Sequence, residues 1–203
     1  MLQRIRNCFG IADTEPQLSG EVEMDETFVG GKNKNRHRDK KVPKSSGRAH
    51  IDKTPVLGMV ERGGRLMAQV IPDTSQKSIT TVVLKRAKRK TTIYTDEWQG
   101  YNKVGKLYHR EFVDHGKKQY KNGDATTNTI EGFWGIFKRG IIGVYQMASR
   151  KHLQRYVDEF VWRYNTRAMA QDVRFNSFFC NVEHRLKYKD LIYGNKETIG
   201  ACA

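Results

Sequence analysis

Acidic residues are scarce in this chain. Only 22 Asp and Glu stand against 37 Lys and Arg in 203 residues, a formal net charge of +15. Such an imbalance argues for a polyanionic partner, nucleic acid first, with a merely basic ribosomal-type protein as the blander reading. Cysteine is equally sparse: Cys8, Cys180 and Cys202 lie far apart and never form a Cys-x-x-Cys pair. That spacing excludes a zinc ribbon and a disulfide framework, and it points to a reducing compartment. Apolar residues make up 37% of the chain. No run approaches the roughly 18 residues of a membrane span, and no signal peptide is visible. The expectation is a cytoplasmic protein, with one substantial domain or two small ones.

Against that background the few acids are unevenly placed. Glu21, Glu23, Asp25 and Glu26 crowd into the segment around VEMDETF. Alternate residues of a strand point to opposite faces, so a strand here sets Glu21, Glu23, Asp25 and Thr27 on one side. Val22, Met24 and Phe28 take the other. A row of carboxylates on a sheet surface asks for a cation.

The rest of the chain supplies a sheet and helices to go with this strand. MLQRIRNCFG has helical composition, with Leu2 and Ile5 on one face. Residues 32–53 are basic and polar and read as a phosphate-seeking loop. Two apolar runs flank Arg62-Gly63-Gly64-Arg65 and predict a tight hairpin, making a three-strand antiparallel meander. Residues 74–89 read as a helix opened by Thr74 or Ser75, with Ile79, Val82, Val83 and Ala87 as its apolar stripe. TTIYTDEWQGY predicts another strand with Asp96 near its end. A short helix and strand follow it, and two amphipathic helices begin near Asn128 and Lys151.

Three acids recur at points that a sheet can bring together: Asp25 in the first strand, Asp96 in the fourth, and Glu131 near the start of a later helix. If the first and fourth strands pair, their spacing of about 4.8 Å lets Asp25 and Asp96 share a metal ion. Each acid also has a plainer role. Asp25 fits an exposed strand position and Asp96 a helix cap. Asn128 and Glu131 fit a capping box, with Glu131 reaching back to the N–H of Asn128. On the helix that carries Glu131, Asn128, Gly135 and Lys138 share its polar face, and Ile130, Phe133, Trp134 and Phe137 form the core side.

The blocks VEMDETFVGGK, YTDEWQGY, GDATTNTIEGFWGIFKRGIIGVY and KHLQRYVDEFVWRYN together resemble the catalytic domain of bacterial DDE-type insertion-sequence transposases. The group is the ISXO-like one, whose longer members carry an N-terminal zinc ribbon. The resemblance runs from about Gly20 to Arg167. It implies an α/β, RNase H-like mixed sheet flanked by helices, over residues 20–170. Residues 1–19 would then be what is left of an N-terminal helical DNA-binding region in a shortened copy, and 171–203 a C-terminal extension.

The resemblance also implies two Mg²⁺ ions (Mn²⁺ substituting), held by Asp25, Asp96 and Glu131, with Asn128 as the alternative third active-site residue. It implies double-stranded DNA as partner, both transposon ends and target, and a homo-oligomer on that DNA in a bacterial nucleoid. Lys138 matches a residue expected at the DNA, with Arg139 beside it. Lys34, Arg36, Arg38, Lys40 and Lys41 of the basic loop, and Lys85, Arg86, Lys88, Arg89 and Lys90, are further candidates for the phosphate backbone. The chain departs from the pattern at Thr126 and at Gln146-Met147, where relatives often carry histidine. Two other readings share these residues: a remnant that binds DNA without cutting it, and a different RNase H-like nuclease.

Overall fold

The structure, a computed structural model, describes residues 2–11, 17–30, 37–43, 52–113, 126–179, 182 and 186–193. Among the described residues, five strands form a sheet: β1 (Glu21–Val29), β2 (Thr54–Glu61), β3 (Leu66–Val70), β4 (Thr92–Asp96) and β5 (His109–Val113). Their order is β3-β2-β1-β4-β5. The first three pair antiparallel, whereas β4 runs parallel to β1 and β5 parallel to β4. This is the RNase H-like mixed sheet that the resemblance implied, and it contains the meander predicted from the hairpin.

The strand alternation holds. Val22, Met24, Leu57, Met59 and Ile93 point into a core covered by α2 (Gln76–Arg86), α3 (Asn102–Gly105) and Tyr101. The opposite face, with Val29, Val56, Val60 and Leu66, is covered by α4 (Asn128–Arg139) and α5 (Leu153–Asn165). α2 begins as expected, with the Ser75 hydroxyl accepting from the Ser78 N–H at 3.3 Å. Its four stripe residues, Ile79, Val82, Val83 and Ala87, are all buried. The hairpin is wider than a two-residue Gly-Gly turn. Four residues separate β2 from β3, and of the two glycines only Gly63 takes a positive φ, +70°.

α1 (Leu2–Ile11) packs on α5. Arg6 is buried between the rings of Tyr145 and Tyr156, and its Nε donates to Glu159 Oε2 at 2.9 Å. Glu159 Oε1 accepts from Tyr145 and Arg163, both at 2.7 Å. Phe178 of α6 (Gln171–Phe179) joins Phe9 and Trp162 in an aromatic cluster on the same helix pair. Among the described residues, no helix is long and apolar enough to cross a membrane.

Removing one partner of a buried ion pair costs about 3–5 kcal/mol where the other charge is left uncompensated, and Glu159 without Arg6 keeps Arg163 and the Tyr145 hydroxyl, which sets the cost at the low end. Arg6→Ala is therefore expected to lower the urea-unfolding free energy by about 3 kcal/mol. A loss below about 1 kcal/mol would show that α1 contributes little to the domain.

Candidate active site

β1 is the strand at which the sheet changes direction, with antiparallel β2 on one side and parallel β4 on the other. Crevices in such sheets open at the carboxyl ends of the strands, at the switch point. The β1–β4 ladder pairs Glu21 with Thr92, Val22 with Ile93 and Glu23 with Tyr94. The ladder ends there, and Asp25 and Asp96, the last residue of β4, each lie two residues beyond its last pair, on the same face of the sheet. Both are half-buried. Glu131 sits in the first turn of α4, exposed, and α4 packs along β1.

The electrostatics show that these acids share one neighbourhood. Burial, and after it the negative charges of Glu26, Asp96 and Glu131, push the Asp25 carboxyl up to about 8. Glu26 is on the other face of β1, as alternation requires. It accepts a hydrogen bond from the fully buried Tyr101 hydroxyl, and its carboxyl is raised mainly by burial. Even so, Glu26 is the strongest single charge acting on Asp25.

The carboxylate tips are each held by local donors. Asp96 Oδ1 accepts from the Trp98 N–H at 3.0 Å, and Glu131 Oε1 accepts from the Thr127 hydroxyl at 2.8 Å. Among the described residues, no three His, Cys, Asp or Glu side chains stand close enough to hold a metal ion as they are. The donor set nonetheless fits a hard divalent cation, which prefers carboxylate oxygens. A carboxyl lifted as far as Asp25 is one that an added cation would bring back down.

The loop after β4 is clamped by Arg110 of β5. Its guanidinium donates to Thr95 Oγ1 and to the Asp96 carbonyl, both at 2.8 Å, and to Asn102 Oδ1 at 3.2 Å. Nothing in the sequence pointed to Arg110, because its partners come from two other elements. Glu23 was visible only as a member of the acidic row. Its partners prove to be the start of α4 and Arg62 rather than an ion.

The capping-box reading of Asn128 and Glu131 does not hold. Asn128 is the first residue of α4, not its cap, and the Glu131 side chain meets the Thr127 hydroxyl instead. Asn128 is exposed on the same helix face as Glu131, about one turn earlier. Lys138 and Arg139 are exposed at the far end of α4, so Lys138 stands about 10 Å along the helix from Glu131. Arg38 and Lys41 are exposed, and Lys40 lies in a 3-10 turn, Arg38–Lys40. Lys34 and Arg36 lie outside the described residues. Lys85, Lys88, Arg89 and Lys90 are exposed around the start of β4, the opposite end of that strand from Asp96.

The ISXO2-like transposase domain model matches residues 17–165. An uncharacterised protein in transposable element ISH50 of Halobacterium salinarum is 30% identical over 158 residues, covering 73% of this chain and 53% of that protein. The chain thus spans about half the length of that curated relative. Among solved structures, the catalytic core of BIV integrase is similar at a TM-score of 0.47 and 13% identity, over 80% of this chain and 98% of that one. The Mos1 strand transfer complex is similar at 0.35 and 14%, over 91% of this chain and 62% of that one. These likenesses are loose, and the fold rests on its own strand order.

A carboxyl raised from 3.8 to about 8 is favoured neutral by the fold. Its contribution to stability is full below about 3.8, is lost progressively as pH rises from there, and is gone above about 8. In EDTA, Asp25→Asn is expected to raise the melting temperature relative to the parent increasingly between pH 5 and about pH 8, and then to level off. An offset independent of pH would contradict the crowding of negative charge around Asp25.

Proposed function

The chain belongs to the ISXO2-like transposase domain family, and from that membership we propose that it cuts DNA at the ends of a mobile element and joins the freed 3′-hydroxyl to target DNA. The observation that carries this reading is the shared neighbourhood of Asp25, Asp96 and Glu131 at the β1–β4 switch point. Two divalent cations, Mg²⁺ or Mn²⁺, would supply activation of water or the 3′-hydroxyl and stabilisation of the leaving oxygen at phosphorus. Asp25 and Asp96 on the sheet and Glu131 on α4 are the residues that would hold them. Asn128 is the alternative third residue, since it shares the helix face.

The other residues of the site orient and bind. Arg110 keeps the Asp96 loop in place through the backbone carbonyl, leaving the Asp96 carboxylate to face the crevice. Lys138 and Arg139 continue the polar face of α4 and meet the phosphates next to the reacting one. Arg38, Lys40 and Lys41, with Lys34 and Arg36, extend the contact to the flanking backbone. The exposed Lys85–Lys90 cluster is remote from the acids along β4 and meets a separate stretch of duplex. Such contacts carry affinity and salt dependence rather than sequence choice. Joining two ends to one target calls for at least two copies of the chain on the DNA.

The test is a strand-transfer assay on labelled element ends, run with Mg²⁺ and with EDTA. Product is expected only with the metal, and Asp25→Ala and Asp96→Ala are expected to lower it by about 10³-fold or more, the scale on which an electrostatic catalytic group acts. Glu131→Ala is expected to match them, with Asn128→Ala milder. Cutting without joining would indicate a nuclease, and DNA binding without metal-dependent product would indicate a binding-only protein. Either result rejects the proposal.

A further inference from the structure

We propose that Glu23 is a positioning residue. Its buried carboxylate seats the first turn of α4 on β1, and so sets how far Glu131 stands from Asp25. This inference rests on the reading of Asp25 and Glu131 as partners in one metal site.

The first turn of any helix leaves backbone N–H groups without intrahelical acceptors. They are usually capped by a Ser, Thr, Asp or Asn immediately before the helix. In α4 that position is Thr127, which makes no side-chain cap bond. The Thr126 hydroxyl accepts from the Asn128 N–H at 3.3 Å, and the acceptor for the next two N–H groups comes from a distant strand. Glu23 is only 2% exposed. Its Oε2 accepts from the N–H of Thr129 at 2.8 Å and of Ile130 at 3.2 Å. Its Oε1 accepts from the Thr129 hydroxyl at 3.1 Å and from Arg62 Nε at 3.3 Å. Negative charge at a helix N-terminus is favourable in its own right. A local cap would satisfy the same N–H groups without tying the helix to anything, whereas Glu23 ties it to the strand of Asp25, two residues away.

Arg62 extends the tie. From the turn between β2 and β3 it also donates to Glu21 at 2.9 Å and stacks over the Tyr94 ring of β4, 4.0 Å from its centroid. One carboxylate thus gathers β1, the β2–β3 turn, β4 and the start of α4.

A second contact fixes the height of the helix above the sheet. Gly58 of β2 is the register partner of Asp25. A Cβ built on it would lie 2.5 Å from Trp134 Cζ2 and 2.8 Å from Ile130 Cδ1. Trp134 and Ile130 are both buried, so the ring cannot swing clear into solvent. Any side chain at 58 would lift α4, and Glu131 with it. Glu23 therefore sets the position of α4 along β1, and Gly58 sets its distance from the sheet.

The test measures Mn²⁺ affinity by calorimetry, and amide hydrogen exchange at Thr129 and Ile130, in the whole chain. Glu23→Gln is expected to weaken Mn²⁺ binding about 10–100-fold, the range for a residue that orients a ligand, and to speed exchange at both amides. Gly58→Ala is expected to weaken Mn²⁺ binding without removing any charge, and it serves if Glu23→Gln fails to fold. Arg6→Ala, which destabilises the domain away from the site, is expected to leave Mn²⁺ affinity within about twofold and separates positioning from mere stability. Unchanged affinity in Glu23→Gln and Gly58→Ala, alongside its loss in Asp25→Ala, overturns this inference alone. Parent-like affinity in Asp25→Ala removes the metal site and this inference with it.

Discussion

Parallel pairing of β1 with β4, Glu21 against Thr92, is the constraint on which the candidate site depends. It brings together the strands of two acids from distant parts of the chain where the sheet changes direction, Asp25 and Asp96 each lying two residues past the last pair. A slip of one residue in that register would turn the β4 side chains to the opposite face. Ile93 would then leave the core it shares with Val22 and Met24. The hydrophobic alternation that stabilises the sheet therefore also keeps Asp25 and Asp96 on one face.

The helix layer completes the arrangement. α4 presents Ile130, Phe133, Trp134 and Phe137 to the sheet, and its polar stripe, with Asn128, Glu131 and Lys138, is exposed. Its apolar side gives it a face but not a position along the strand, which Glu23 and Gly58 supply. Burial and like charge then raise Asp25 well above the ordinary carboxylate range. The fold brings the acids together against their mutual repulsion. Sites with strongly perturbed carboxyl groups in a crevice are where chemistry is most often found.

Much of this was legible from periodicity. The two faces of β1, the stripe of α2, the end of β4 at Asp96 and both faces of α4 all follow from spacings of two, three and four residues. What was not legible depends on contacts between distant segments. The expected capping box used Asn128 and Glu131 because they are local, whereas the acceptor for the α4 N–H groups lies about a hundred residues earlier in the chain. Arg110 could not be singled out from other arginines until β5 was placed beside β4. Likewise, Leu2 and Ile5 suggested a helix, but only the packing of α1 on α5 reveals Arg6 as a buried partner of Glu159. The acidic row read as a request for a cation. In fact its first members are answered by Arg62 and by a helix terminus, and Asp25 lies two residues further along the same face of β1.

Anomalous diffraction from crystals soaked in Mn²⁺ tests the central claim most directly. The expected map has manganese peaks at the carboxyl end of β4, coordinated by Asp25 and Asp96 together and completed from α4. Peaks elsewhere, or Asp25 and Asp96 sharing no ion, would contradict it.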